Sequence, residues 1–148
     1  MSDTRVFVSF DLEHDALLYE LLVEQSKAPA SGFEIVGGSA RWRDTELWPA
    51  QVREEIRRAD QLIVICGEHT EDSPGVSAEL RIAREEGTPY FMLWGRRDRM
   101  CTKPVGAASA EGMYSWTQPI LQAQICLTLR NTRALEMAET LARAAPKR

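Results

Sequence analysis

The chain has 148 residues, 44% of them hydrophobic and 27% charged, with a net charge of −4. That length suits one domain with its own core, and the composition is that of an ordinary globule. An acidic balance without a Lys/Arg cluster argues against nucleic acid, and no apolar run approaches the roughly 20 residues of a membrane span. Three widely spaced cysteines, Cys66, Cys101 and Cys126, argue against a disulfide framework or a zinc site, and the N-terminal residues lack a signal-peptide pattern, so a reducing cytoplasm is the expected setting.

Val6–Phe10 is β-branched and aromatic, a first strand. Asp11 to Ser26 carries Ala16, Leu17, Leu21 and Leu22 at helical spacing before Pro29, Ser31 and Gly32 break it. Phe33–Val36 reads as a second strand ending in Gly37-Gly38, followed by a loop from Ser39 to Pro49 with two tryptophans and a helix from Ala50 to Ala59. Leu62–Cys66 is apolar without alternation, as a strand buried on both faces of a parallel sheet must be. Gly67 to Ser73 is a polar loop, Pro74 to Glu86 a helix, and Tyr90–Trp94 a fourth strand. Arg96-Arg97-Asp98-Arg99 reads as a solvated loop, Met113–Trp116 as a short fifth strand, and the chain from Thr117 onward as helix, in two pieces divided near Asn131-Thr132.

Strands alternating with helices imply right-handed crossovers and a parallel sheet covered on both faces. The expected architecture is α/β, a flavodoxin-like three-layer sandwich with five parallel strands in the order 2-1-3-4-5. Its ligand crevice lies where the carboxyl ends of strands one and three diverge. Ser9 to Asp15 and Gly67 to Asp72 would rim it, bringing both histidines, His14 and His69, together with several acids. The plain alternative is that these loop residues only cap helices, with Asp15, Asp72 or Ser73 as the caps.

Glu79 fits the plain alternative poorly. With Pro74 at the first helical position, Glu79 falls between Val76, Ala83 and Ile82 inside the apolar arc. Val76, three residues earlier, has no side-chain oxygen to complete a capping box. A carboxylate directed at the core near the sheet's carboxyl edge needs a partner, a raised pKa or a ligand; Arg41 and Arg43 are candidate ion-pair partners.

Other chemistries find little support. Cys66-Gly67 stands where a receiver domain would place its phosphoacceptor Asp, and no glycine-rich phosphate cradle is present. His14 and His69 match no recognised metal-ligand spacing, Cys66 lies in an apolar strand, and no nucleophile elbow frames Ser9 or Ser77.

The runs V-F-V-S-F-D, V-I-C-G-E-H-T, G-V-S-A-E-L and P-Y-F-M-L-W-G, with the later C-T-K-P and M-Y-S-W-T, resemble microbial TIR-like proteins. The resemblance runs from about Arg5 to about Leu129 and is nearest to the TIR-like subunit of the Thoeris anti-phage system. It implies a TIR-like domain over 1–130 with a helical extension at 131–148. It implies cleavage of the nicotinamide–ribose bond of NAD⁺, as substrate and without a metal or second cofactor, to give a cyclic or otherwise rearranged ADP-ribose signal. By the same resemblance Glu79 is the catalytic glutamate, Ser9 and Phe10 line the nucleotide pocket, and residues 37–49 take the place of a mobile loop. Loop position adds Asp11, Arg41, Trp42 and Ser77 to the expected substrate-binding set, with Phe10 or Trp42 to stack on a ring and Arg41 or Arg43 to meet the pyrophosphate. Many TIR domains carry a Trp shortly before the glutamate, where this chain has Gly75-Val76-Ser77. Expected partners are NAD⁺, further copies of the chain and an effector protein answering the nucleotide product. Two other functions stay open: a non-catalytic assembly module, and a nucleoside deoxyribosyltransferase-like enzyme.

Overall fold

The structure, a computed structural model, describes residues 3–39 and 48–144. Among these, five strands, β1 (Thr4–Ser9), β2 (Phe33–Gly38), β3 (Gln61–Cys66), β4 (Tyr90–Trp94) and β5 (Met113–Ser115), form one parallel sheet in the order β2-β1-β3-β4-β5. The helices are α1 (Ala16–Ser26), α2 (Trp48–Arg58), α3 (Pro74–Glu86) and α4 (Gln118–Ala144), with a single 3₁₀ turn at Thr70–Asp72. This is the expected flavodoxin-like sandwich.

Side chains of a strand alternate between faces, and β3 divides the core accordingly. Leu62, Val64 and Cys66 pack with Val52 and Ile56 of α2 and Val76 and Ala83 of α3. Ile63 and Ile65 pack on the other face with Leu18 and Leu22 of α1 and Leu121 and Ile125 of α4. All six residues of β3 are buried, and each buried aliphatic side chain contributes roughly 1.5–3 kcal/mol. The absence of alternation in this strand is thus the signature of its central place.

Four local differences from the sequence expectation have physical causes. The first helix begins at Ala16, not Asp11: the intervening residues turn back on themselves, with the Asp15 N–H donating to Asp11 O at 2.8 Å. The second strand runs on to Gly38 because a bulge at its own Val36 resets the register, pairing Val6 of β1 with Ile35 but Phe7 with Gly37. Arg96 is not solvated; it is half-buried and ion-paired to Asp15. Finally, α4 is one continuous helix. Asn131 and Thr132 each cost at most about 0.7 kcal/mol relative to Ala in a helix, and no Gly or Pro stands between Pro119 and Pro146 to break it.

Among the described residues no helix is long and apolar enough to cross a membrane.

Candidate functional site

At the carboxyl ends of β1 and β3 the chain leaves in opposite directions, and a crevice of about 670 Å³ opens there. The loop after β1 supplies Phe10, Asp11, Glu13 and His14, the loop after β3 supplies His69, and the start of α3 supplies Gly75 and Glu79. Ser39, just beyond β2, closes one side.

Glu79 is directed there by its helix. Ser73 caps α3, its hydroxyl accepting from the Val76 N–H at 3.5 Å, and Pro74 begins the first turn. One turn later the Glu79 side chain is 1% exposed. Ser9 Oγ donates to its Oε1 at 2.6 Å and Ser39 Oγ donates to the same oxygen at 2.5 Å. No hydrogen bond among the described residues uses Oε2. Burial pushes the carboxyl up to about 7 against the pull of the two hydroxyls, with the charge of Glu55 adding to the rise. Among the described residues its partners are this pair of hydroxyls. The arginines considered from the sequence, Arg41 and Arg43, lie outside the described residues, as does Trp42.

Ser39 was invisible as a site residue in the sequence. Its N–H donates to Val8 O at 2.9 Å, extending the β1–β2 ladder past the end of the strand, and its hydroxyl also accepts from the Phe10 N–H at 3.0 Å. The bulge determines which side chain arrives at this point, since a one-residue shift turns a strand over. The glycine pair ahead of Ser39 was the available signal, because glycines within a strand often mark a bulge.

The other expected binding residues divide. Ser9 is buried and bonded to Glu79, and Phe10 and Asp11 line the crevice. Phe10 is also a core residue, 3% exposed and stacked on Tyr19 with ring centres 4.6 Å apart, so one of its faces is already covered. Ser77 lines a different hollow, beside Pro74, Arg81 and Gly106. Two residues along a helix are about 200° apart, which carries Ser77 away from the side Glu79 faces.

The rim is fixed by a second pair that the sequence did not reveal. Asp15 occupies the N-cap position of α1 but makes no capping bond there. Instead its buried Oδ1 accepts from Arg96 Nη2 at 3.1 Å, and the same Nη2 donates to His14 O at 2.7 Å. Burial raises the Asp15 pKa even against Arg96. The carboxylate lies directly over Gly67, where an added Cβ would stand 2.3 Å from Asp15 Oδ2. Glycine is required at that point for lack of space. Cys66, beneath it, is fully buried, and burial pushes its thiol up to about 12, which leaves it inert.

A larger hollow of about 970 Å³ lies elsewhere, between α1, the ends of β4 and β5, and the start of α4, walled by Trp94, Trp116, Leu18 and Ile120. Its charged side chains, Glu24 and Arg97, are exposed at the edge. None of its described lining residues is a buried acid.

Residues 7–99, more than half of the chain, match the family model of the TIR-like domain of Thoeris protein ThsB. The chain belongs to this family. Two solved structures are similar to this TIR-like domain at a low level. One is the Clostridium botulinum CMP N-glycosidase BcmB, at 15% identity and a TM-score of 0.49, covering 84% of this chain and 99% of that one. The other is a prokaryotic SEFIR domain, at 18% identity and a TM-score of 0.47, covering 88% and 92%. No curated protein matches the chain.

Proposed function

We propose that this Thoeris TIR-like domain cleaves the nicotinamide–ribose bond of NAD⁺ and converts the ADP-ribosyl group into a cyclic or otherwise rearranged signalling nucleotide for anti-phage defence. The observation that carries the reading is Glu79, a buried carboxylate held by two hydroxyls at the edge of an open crevice. Loss of a cationic leaving group from ribose builds positive charge on the sugar. A preorganised carboxylate in a poorly solvated site offsets that charge more strongly than water does. Ser9 and Ser39 hold Oε1 and fix the rotamer, which leaves Oε2 to accept from a ribose hydroxyl. With its pKa near 7, the group is ionised in a substantial fraction of molecules at neutral pH and needs no metal for this role.

One observation favours the assembly-module reading: at 1% exposure, Glu79 reaches substrate only over a small surface. One experiment separates the two. Mass spectrometry of NAD⁺ incubated with the wild-type chain, alone and after induced assembly, is expected to show nicotinamide and an ADP-ribose product. Glu79→Gln is expected to reduce turnover by at least about 100-fold, the scale lost on removing a group that stabilises transition-state charge. Intact NAD⁺ after incubation with assembled wild-type protein would sink the NAD⁺-cleaving reading. The wider arrangement, with further copies completing the site and an effector responding to the product, belongs to the same proposal.

A further inference from the structure

The described lining of the crevice is acidic, which by itself opposes a nucleotide. Its described lining contains four acids, Asp11, Glu13, Asp72 and Glu79, and no lysine or arginine. The only described lining side chains able to carry positive charge are His14 and His69, one from each of the two loops that form the switch point.

These two rings are built into a unit. Their centres are 3.9 Å apart with planes 28° from parallel. His14 Nδ1 meets Asp11 Oδ2 at 2.9 Å, and Asp11 Oδ1 accepts from the Glu13 N–H at 3.1 Å, so the carboxylate is itself held. The loop carrying His14 is tied to the far side of the sheet edge through Arg96. An imidazolium at His14 gains from the π face of the ring stacked on it. The Asp11 carboxylate favours the protonated form of His14. Among the described residues no group of three or more His, Cys, Asp or Glu side chains is arranged to hold a metal ion.

We propose that the His14–His69 stack is the anion-reading element of the crevice, with the Nε2–H of His14 donating to a phosphate oxygen of the bound nucleotide. Asp11 occupies Nδ1 and leaves Nε2 as the donor turned to the ligand. His69 supports the ring from behind and accepts the spread of its charge. The choice of a nucleotide as ligand rests on the proposed NAD⁺ reaction. The role is binding and positioning, not bond cleavage, and no bond is made or broken at the histidines.

A pH dependence follows from the groups around His14. Asp11, Glu13 and Asp15 on its own loop favour the protonated ring, and Asp11 dominates through its hydrogen bond, so the His14 pKa stands above its ordinary value. Facing it from the other elements are His69, stacked on the ring, and Arg96, whose guanidinium reaches the His14 carbonyl. Phosphate binding requires the imidazolium. Affinity is therefore present below the His14 pKa and is lost as pH rises through it.

The test is calorimetric titration of the full chain with ADP-ribose, which carries the pyrophosphate but lacks the scissile bond, at about pH 6 and about pH 8.5. Wild type is expected to bind more tightly at the lower pH. His14→Gln is expected to bind about tenfold more weakly there, as for removal of one hydrogen bond from a charged donor, and to keep only the shallower pH dependence that ionisation of Glu79 near pH 7 supplies. Asp11→Asn keeps the ring and the loop but removes the charge behind Nδ1, and is expected to move the fall in affinity to lower pH. Thermal melts of each variant establish that it is folded. Wild-type affinity and slope in His14→Gln, or no binding of ADP-ribose by wild type, would overturn the proposal. Nicotinamide release from NAD⁺ on the same preparations keeps the two readings apart. Histidine-dependent binding without release would remove the enzyme reading alone, and release with histidine-independent binding would remove this one alone.

Discussion

Glu79 differs from a structural ion and from a surface acid in the sign of its pH response. Its pKa rises from 4.5 to about 7 because burial penalises the charged form. The folded state therefore holds a proton that the unfolded state releases, and stability falls as pH climbs from 4.5 to 7. The shift corresponds to roughly 3 kcal/mol of stability absent above that window. Glu79→Gln cannot ionise, and its amide oxygen can still accept from Ser9 and Ser39. Its melting temperature is expected to exceed that of wild type at about pH 8, with the gap closing towards about pH 5. Equal differences at the two pH values would show that the carboxyl does not titrate in this range. The sequence revealed Glu79 because helical periodicity is regular and a charge inside an apolar arc stands out. It concealed Ser39 because the deciding feature is a bulge in the neighbouring strand pair, a tertiary choice that the local residues only hint at through Gly37-Gly38. Ser77, two positions before Glu79, lines a different hollow because residues two apart on a helix are about 200° around its axis.

At the scale of elements, the sheet edge is held by loops bonded across it, not by the strands alone. Asp15 begins α1 and Arg96 follows β4, so their ion pair ties the two loops over Gly67. Asp15 Oδ2 is buried without a partner among the described residues, which makes the pair depend heavily on the single cation. Removing one member of a buried pair typically costs about 3–5 kcal/mol, because the other charge is left without compensation. Arg96→Ala is expected to destabilise the fold by about 3 kcal/mol in urea unfolding, and the same change in an Asp15→Asn background by about 1 kcal/mol or less. Additive losses would mean that the two residues act independently. The strands, their order and most helix positions were legible because apolar runs, breakers and alternation act locally. The Asp15–Arg96 tie was not, because it spans 81 residues and its cation sits in a stretch whose composition reads as solvated.

For the molecule as a whole, the question left by the fold is how much of α4 belongs to it. Leu121 and Ile125 are buried on the α1 side of the sheet, and Gln61 Nε2 donates to Ile125 O at 3.1 Å, locking the first part of the helix to β3. Gln122 Nε2 adds a bond to Ala30 O at 3.1 Å. Farther along, Met137 and Leu141 are exposed, at 66% and 65%, so their removal forfeits little buried apolar surface. The helix nevertheless continues without a break, because intrinsic propensity and the hydrogen bonds of the preceding turns carry it outward. A chain ending at Ala134 keeps more than two turns beyond Ile125, enough to protect the anchored segment from fraying at the new terminus. Its melting temperature is expected to lie within about 3 °C of the full chain, the scale of a loss under 1 kcal/mol in a domain of this size. A fall of about 10 °C or more would place the outer half of α4 within the folding unit, and the boundary read from the sequence near residue 130 would have to move to its far end.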